Sequence, residues 1–93
     1  MSEPLALTLT QIRIEETCDK IKNLLIEKNR SYGDSALSPV RVFSKSSAEE
    51  QLLVRLDDKI SRIARGTEFP GDDTLLDLAG YVILLLVARG TPS

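Results

Sequence analysis

The last third of the chain sets the strongest constraint on its fold. From Leu75 to Val87 nearly every position is leucine, isoleucine, valine, alanine or glycine, and the lone carboxylate in the run is Asp77. A helix that is apolar all round must be covered on all sides. In a chain of 93 residues two neighbouring helices give too little cover, so a second copy is expected to supply the rest. The stretch over about 74–88 is read as the third of three helices. Asp72 or Asp73 caps its start, and Gly90 and Pro92 stop it.

The other two helices follow from periodicity and punctuation. Ile14, Cys18, Ile21 and Leu25 recur at helical spacing with Leu24 beside them, which predicts a first helix over about 11–29 capped by Thr10. Glu15 and Glu16 then stand in its first turns, where the helix dipole favours acids. Cys18 falls on the apolar stripe and is expected in the core. Gly33 lies beyond the helix end, suited to a left-handed residue. Leu52, Leu53, Leu56, Ile60 and Ile63 make the stripe of a second helix, opened by Ser46 or Ser47 with Glu50 in a capping-box position and ended by Gly66. The turn around Pro70-Gly71 is short, so the second and third helices pack antiparallel. Between the first two helices runs a long irregular segment, 30–46, in which Val40 and Phe43 predict docking onto the body. Leu5, Leu7 and Leu9 alternate in a short tail over 1–9. The expected fold is an all-α, three-helix antiparallel bundle over 10–90, with a tail at 91–93, a long loop after the first helix, and completion by oligomerisation into a homodimer or homotetramer.

Composition removes several functions. There is no histidine, which rules out His-based acid–base chemistry and ordinary zinc sites. One cysteine cannot form an internal disulfide, in keeping with a reducing compartment. A net charge of −2 makes duplex nucleic acid an unsuitable partner. No apolar run is long enough to span a bilayer, and no signal peptide is visible, so the expected location is cytoplasmic. An oxygen-liganded Mg²⁺, or Mn²⁺ in its place, is the metal that such a residue set favours.

Three groups of residues stand out as chemically useful. Asp77 sits among leucines, and a buried carboxylate needs a cation, a metal or hydrogen-bond donors. Asp73 and Tyr81, four residues before and after it, share its face. The second helix supplies Arg55, Asp58 and Arg62 on one face with Lys59 beside them, within a segment (41–65) of six basic and four acidic residues. Any of Arg55, Lys59 and Arg62 is a candidate partner for Asp77. Such a mixed seam serves either as an ion-pair lattice or as a site for Mg²⁺ and phosphates. The third group is Lys28-Asn29-Arg30-Ser31-Tyr32-Gly33-Asp34. Its cations suit phosphate, its ring suits a base, and its glycine allows close backbone approach. Glu15, Glu16 and Asp19 on the first helix are spaced so that they could share a divalent cation.

The ordered set Lys28-Asn29, Tyr32-Gly33-Asp34-Ser35, Arg55-Leu56-Asp57-Asp58-Lys59 with Arg62, and Asp73-Thr74-Leu75-Leu76-Asp77-Leu78-Ala79-Gly80-Tyr81 resembles the nucleotide-modification-associated domain of phages and prophages. The likeness covers roughly 14–88. That family is distantly similar to the MazG-like all-α nucleoside-triphosphate pyrophosphohydrolases, oligomeric bundles whose helix acids hold Mg²⁺. The resemblance implies a nucleotide or nucleoside triphosphate as ligand, in the host cytoplasm if the chain is phage-encoded. It assigns Glu16, Asp58, Asp73 and Asp77 to the metal, with Asp58 and Asp77 catalytic. Arg55, Lys59 and Arg62 would hold phosphates. Lys28, Asn29, Tyr32, Gly33, Asp34 and Tyr81 would complete the nucleotide site. The acids depart from the MazG-like pattern: Asp73 and Asp77 are four apart rather than three, and cations crowd Asp58. Binding without hydrolysis, or a purely structural oligomer, therefore stand as alternatives to the enzyme.

Overall fold

The computed structural model describes residues 6–39, 44–67, 70–71 and 73–90, and these form three helices with no strand among them. Helix α1 spans Leu9–Tyr32, α2 spans Ala48–Arg65 and α3 spans Thr74–Ala88. Leu5, Val40, Phe43, Asp72 and Pro92 lie outside the described residues. No helix among the described residues is long and apolar enough to cross a membrane.

The ends of α2 and α3 follow the local chemistry. The Ser47 hydroxyl accepts from the Glu50 amide at 3.1 Å, and Gly66 closes α2 at φ 66°, ψ 30°, a left-handed conformation that costs glycine nothing. Asp73 caps α3, its carboxylate accepting from the Leu76 amide at 3.0 Å. The start of α1 differs from expectation. Thr8, not Thr10, is the cap, because Gln11 three residues on returns the bond: the Thr8 hydroxyl accepts from the Gln11 amide, and the Gln11 side chain accepts from the Thr8 amide. This earlier start puts Glu15 and Glu16 beyond the first turn, where the dipole no longer favours them. At the other end α1 continues to Tyr32, and Gly33 leaves it with φ 66° and ψ −162°.

Helices α2 and α3 are antiparallel. Arg89 at the end of α3 pairs with Glu49 at the start of α2, and Lys59 further along α2 pairs with Asp77 near the start of α3. Leu52, Leu56 and Leu85 form the buried core between them, flanked by Ala36 and Leu37 from the loop and by Leu78, Tyr81 and Leu84. A short turn hung on the Asp34 carbonyl, which accepts from the Leu37 and Ser38 amides, brings Ala36 and Leu37 to that core.

Helix α1 touches α3 and not α2. Its 24 residues outrun the 15 of α3, so a helix of about 36 Å lies against one of about 22 Å. The excess falls at its start: every residue from Leu9 to Lys20 is exposed. Cys18, expected in the core, is exposed for this reason. Ile21 and Leu25 of the predicted stripe meet α3, but the described helices of the subunit leave the first half of α1 uncovered. The molecule is accordingly elongated, 61 × 33 × 23 Å.

Candidate functional site

Where the second half of α1 crosses α3, the helices enclose a cleft of about 250 Å³. Gly80 makes the crossing close. It is buried, and a Cβ built on it would stand 3.2 Å from Cδ2 of Leu25. A glycine inside a leucine-rich helix costs roughly 0.5–1 kcal/mol relative to alanine, so its presence calls for a packing reason, and Leu25 is that reason. Gly80→Leu is expected to wedge α1 off α3 at a cost of about 1–3 kcal/mol in urea denaturation, whereas Gly80→Ala stays within about 1 kcal/mol of the parent, because Leu25 can yield and the helix gains propensity.

The cleft draws on all three helices and the loop. Its floor is aliphatic, with Ile21, Leu24 and Leu25 facing Leu76 and Leu84. Its polar wall is made of Lys28, Asn29, Tyr32 and Gly33 from the end of α1, Arg55 from α2, and Asp77 and Tyr81 from α3. Ser35 and Ala36 close the loop side. Tyr32 stands at the cleft mouth and is 73% exposed. The Arg55 guanidinium carbon stands 5.7 Å from the centroid of the Tyr81 ring, within cation–π range, so the ring steers this cation along the wall.

Asp77 has its counter-charge. Its Oδ2 lies 3.2 Å from the Lys59 Nζ, with the two side chains 30% and 14% exposed. Of the three cations open to it by sequence, Lys59 is the one that bonds. Lys59 stands behind the carboxylate rather than on the cleft wall.

Other residues singled out by sequence go elsewhere. Arg62 bonds Asp58 at 3.1 Å on the surface of α2, away from the cleft. Asp73 is occupied as the α3 cap, and Glu16 stands on the exposed overhang of α1. Asp34 is a brace: its carboxylate accepts from the Asn29 side-chain amide at 3.2 Å and from the Ser38 hydroxyl at 3.5 Å. That ties the loop to the end of α1 and orients Asn29. Glu16, Asp58, Asp73 and Asp77 therefore do not converge, and among the described residues no three acidic or cysteine groups gather as metal ligands would. Asp77 is the one carboxylate on the described cleft wall.

Sequence reasoning did not single out Gly80, Ser35 or Ala36 for the site. Gly80 carried a readable signal, the propensity cost just described, and Ser35 stood in one of the resembling segments; Ala36 carried none.

A comparison of the chain with protein-family models, curated proteins and solved structures returns no match.

Proposed function

We propose that the chain binds a nucleotide in the cleft between α1 and α3 and holds it without hydrolysis. The observation that carries this reading is convergence. Lys28, Asn29 and Tyr32, then Arg55, then Tyr81 come from three helices to one wall over an aliphatic floor. These are the segments on which the resemblance to the phage nucleotide-modification-associated domain rests. An apolar floor and an exposed ring suit a base, and two cations at the rim suit phosphate. The volume lies slightly below the roughly 300 Å³ at which ligand pockets usually begin, so base and sugar fill it and the phosphates extend to the rim. Lys59 adds no net charge to that rim because Asp77 neutralises it.

The dispersal of the acids favours binding over pyrophosphohydrolysis. Cleaving a triphosphate with a metal needs carboxylates around the metal, and this wall offers Asp77 alone among the described residues. No step is therefore assigned to a metal.

Thermal-shift measurement with nucleoside triphosphates, monophosphates and cyclic or oligomeric signalling nucleotides, each with Mg²⁺ and with EDTA, tests the reading. A ligand at about a hundred times its Kd adds roughly 2.7 kcal/mol, which raises the Tm of a domain this size by about ten degrees or more. The rise is expected to persist in EDTA, with the nucleotide recovered intact. Arg55→Ala is expected to weaken binding about 10- to 100-fold, the loss of a charge-assisted bond of about 1.5–3 kcal/mol, at little cost to stability. A flat response to every nucleotide sinks the proposal and leaves the cleft a structural seam. Pyrophosphate release that Asp77→Asn abolishes replaces it with the hydrolase.

A further inference from the structure

Few groups set the charge of the cleft wall. Lys28 from α1 and Arg55 from α2 supply its cations and Asp77 from α3 its carboxylate, while Ser35 and Ala36 from the loop add no charge. Lys59, behind the wall, cancels Asp77 across 3.2 Å. Lys28 and Arg55 are exposed, and neither makes an ion pair among the described residues. The Tyr81 ring holds the Arg55 guanidinium at 5.7 Å without neutralising it. The described wall therefore presents two uncompensated positive charges.

The surroundings limit what can use those charges. Base and sugar fill a cleft of about 250 Å³, so phosphate stands at its mouth, where two long exposed side chains can converge on it. Past Lys28 the wall runs into the last turn of α1, whose unpaired carbonyls carry partial negative charge. The Asp34 carboxylate stands there too, 3.2 Å from the Asn29 side-chain amide. On the α3 side the next charged group of the wall is Asp77. A row of phosphates laid along the wall in either direction leaves the cations and approaches negative charge.

We propose that the nucleotide this cleft takes is a nucleoside monophosphate, bound as the phosphomonoester dianion without a metal, and that further phosphates add no affinity. The inference rests on the nucleotide reading above and narrows it to one ligand class. A monoester loses its second proton at about pH 6, so at neutral pH its two charges match Lys28 and Arg55 one for one. A single phosphodiester carries one charge and satisfies one of them. Each phosphate beyond the first adds charge for which the described wall holds no cation, and among the described residues no group of three acids gathers to hold a bridging metal.

Calorimetric titration of the full chain in low salt with EDTA tests the proposal, with AMP, GMP, CMP and UMP as first probes. The nucleoside, the cyclic monophosphate and the triphosphate of the tightest-binding base follow. The monophosphate is expected to bind on the order of 100-fold tighter than the nucleoside, about tenfold for each of two charge-assisted contacts, and about tenfold tighter than the cyclic diester. The triphosphate is expected to bind no tighter than the monophosphate. Between about pH 7.5 and pH 5 the affinity for the monophosphate falls about tenfold as its phosphate takes up a proton, while that for the cyclic diester stays level. The chain has no histidine, the side chain that ordinarily titrates in this window, so the slope belongs to the ligand. Lys28→Gln, a change at an exposed position, is expected to weaken monophosphate binding about tenfold. A triphosphate bound about tenfold tighter than the monophosphate, in EDTA or in Mg²⁺, overturns this proposal and leaves the nucleotide reading intact. So does monophosphate binding that ignores pH, or a Lys28→Gln chain of unchanged affinity. Failure of every one of these ligands to bind overturns both.

Discussion

Leu52→Ala is expected to cost about 2–5 kcal/mol, the range for truncating a fully buried leucine. Leu52 is 1% exposed and stands where α2, α3 and the loop turn carrying Ala36 and Leu37 meet. Domains hold roughly 0.05–0.15 kcal/mol of stability per residue, so a chain of 93 residues has on the order of 5–14 kcal/mol to lose. One truncation at this position removes a large fraction of that. The damage extends to the cleft, because Tyr81 and Leu84 border both the core and the site. Urea denaturation at fixed protein concentration checks the figure, the concentration being held constant because self-association adds to apparent stability. Val54→Ala is the control: Val54 is 67% exposed, and the change should stay within about 0.5 kcal/mol. Equal losses at the two positions would mean that the core does not lie where Leu52 places it.

The helices were legible in the sequence because their signals are local. Ser47, Gly66 and Asp73 each act within one turn, and α3 occupies the span its composition marks out. The start of α1 slipped by two residues because Thr8 and Thr10 are equivalent as caps, and the choice rests on which has a reciprocal partner three positions later; Gln11 favours Thr8. What sequence could not supply was register between helices. Arg55, Lys59 and Arg62 all stand on or beside one face of α2, and which of them meets Asp77 depends on how Leu52 and Leu56 seat against Leu85. That seating brings Lys59 to the carboxylate and Arg55 to the Tyr81 ring, and it leaves Arg62 with Asp58. The burial of Cys18 was misjudged on the same grounds: a stripe shows which side of a helix is apolar, not whether a neighbour reaches it. Antiparallel packing made Asp58 a neighbour of Asp77, and i−4 spacing made Asp73 one, yet each finds a nearer partner on its own helix.

The Lys59–Asp77 pair separates stability from function. Its partners lie at 3.2 Å and are mostly shielded from water, so attraction and desolvation are both large and nearly cancel. Removing one partner breaks the balance unequally. Lys59→Met strands a short carboxylate beside leucines, and is expected to cost about 2–4 kcal/mol. Asp77→Leu strands an ammonium on a four-carbon stem that can swing its charge toward solvent, so it costs less, about 1–2 kcal/mol. The double replacement restores an apolar seam and is expected to return to within about 1 kcal/mol of the parent, giving a coupling energy of roughly 2–6 kcal/mol in a double-mutant cycle. Additive losses would show that the pair makes no such bond in solution. Asp77→Asn then isolates the charge. It keeps the shape of the side chain while removing a negative group from a wall that also carries Lys28 and Arg55. If the cleft binds phosphate directly, the neutral amide leaves a net extra positive charge, and affinity for a nucleotide is expected to rise a few-fold in low salt, the gain shrinking as salt screens it. If Asp77 instead holds a metal that holds the nucleotide, the same change weakens binding tenfold or more. The direction of that one change in Kd distinguishes a carboxylate that only anchors Lys59 from one that belongs to the reaction.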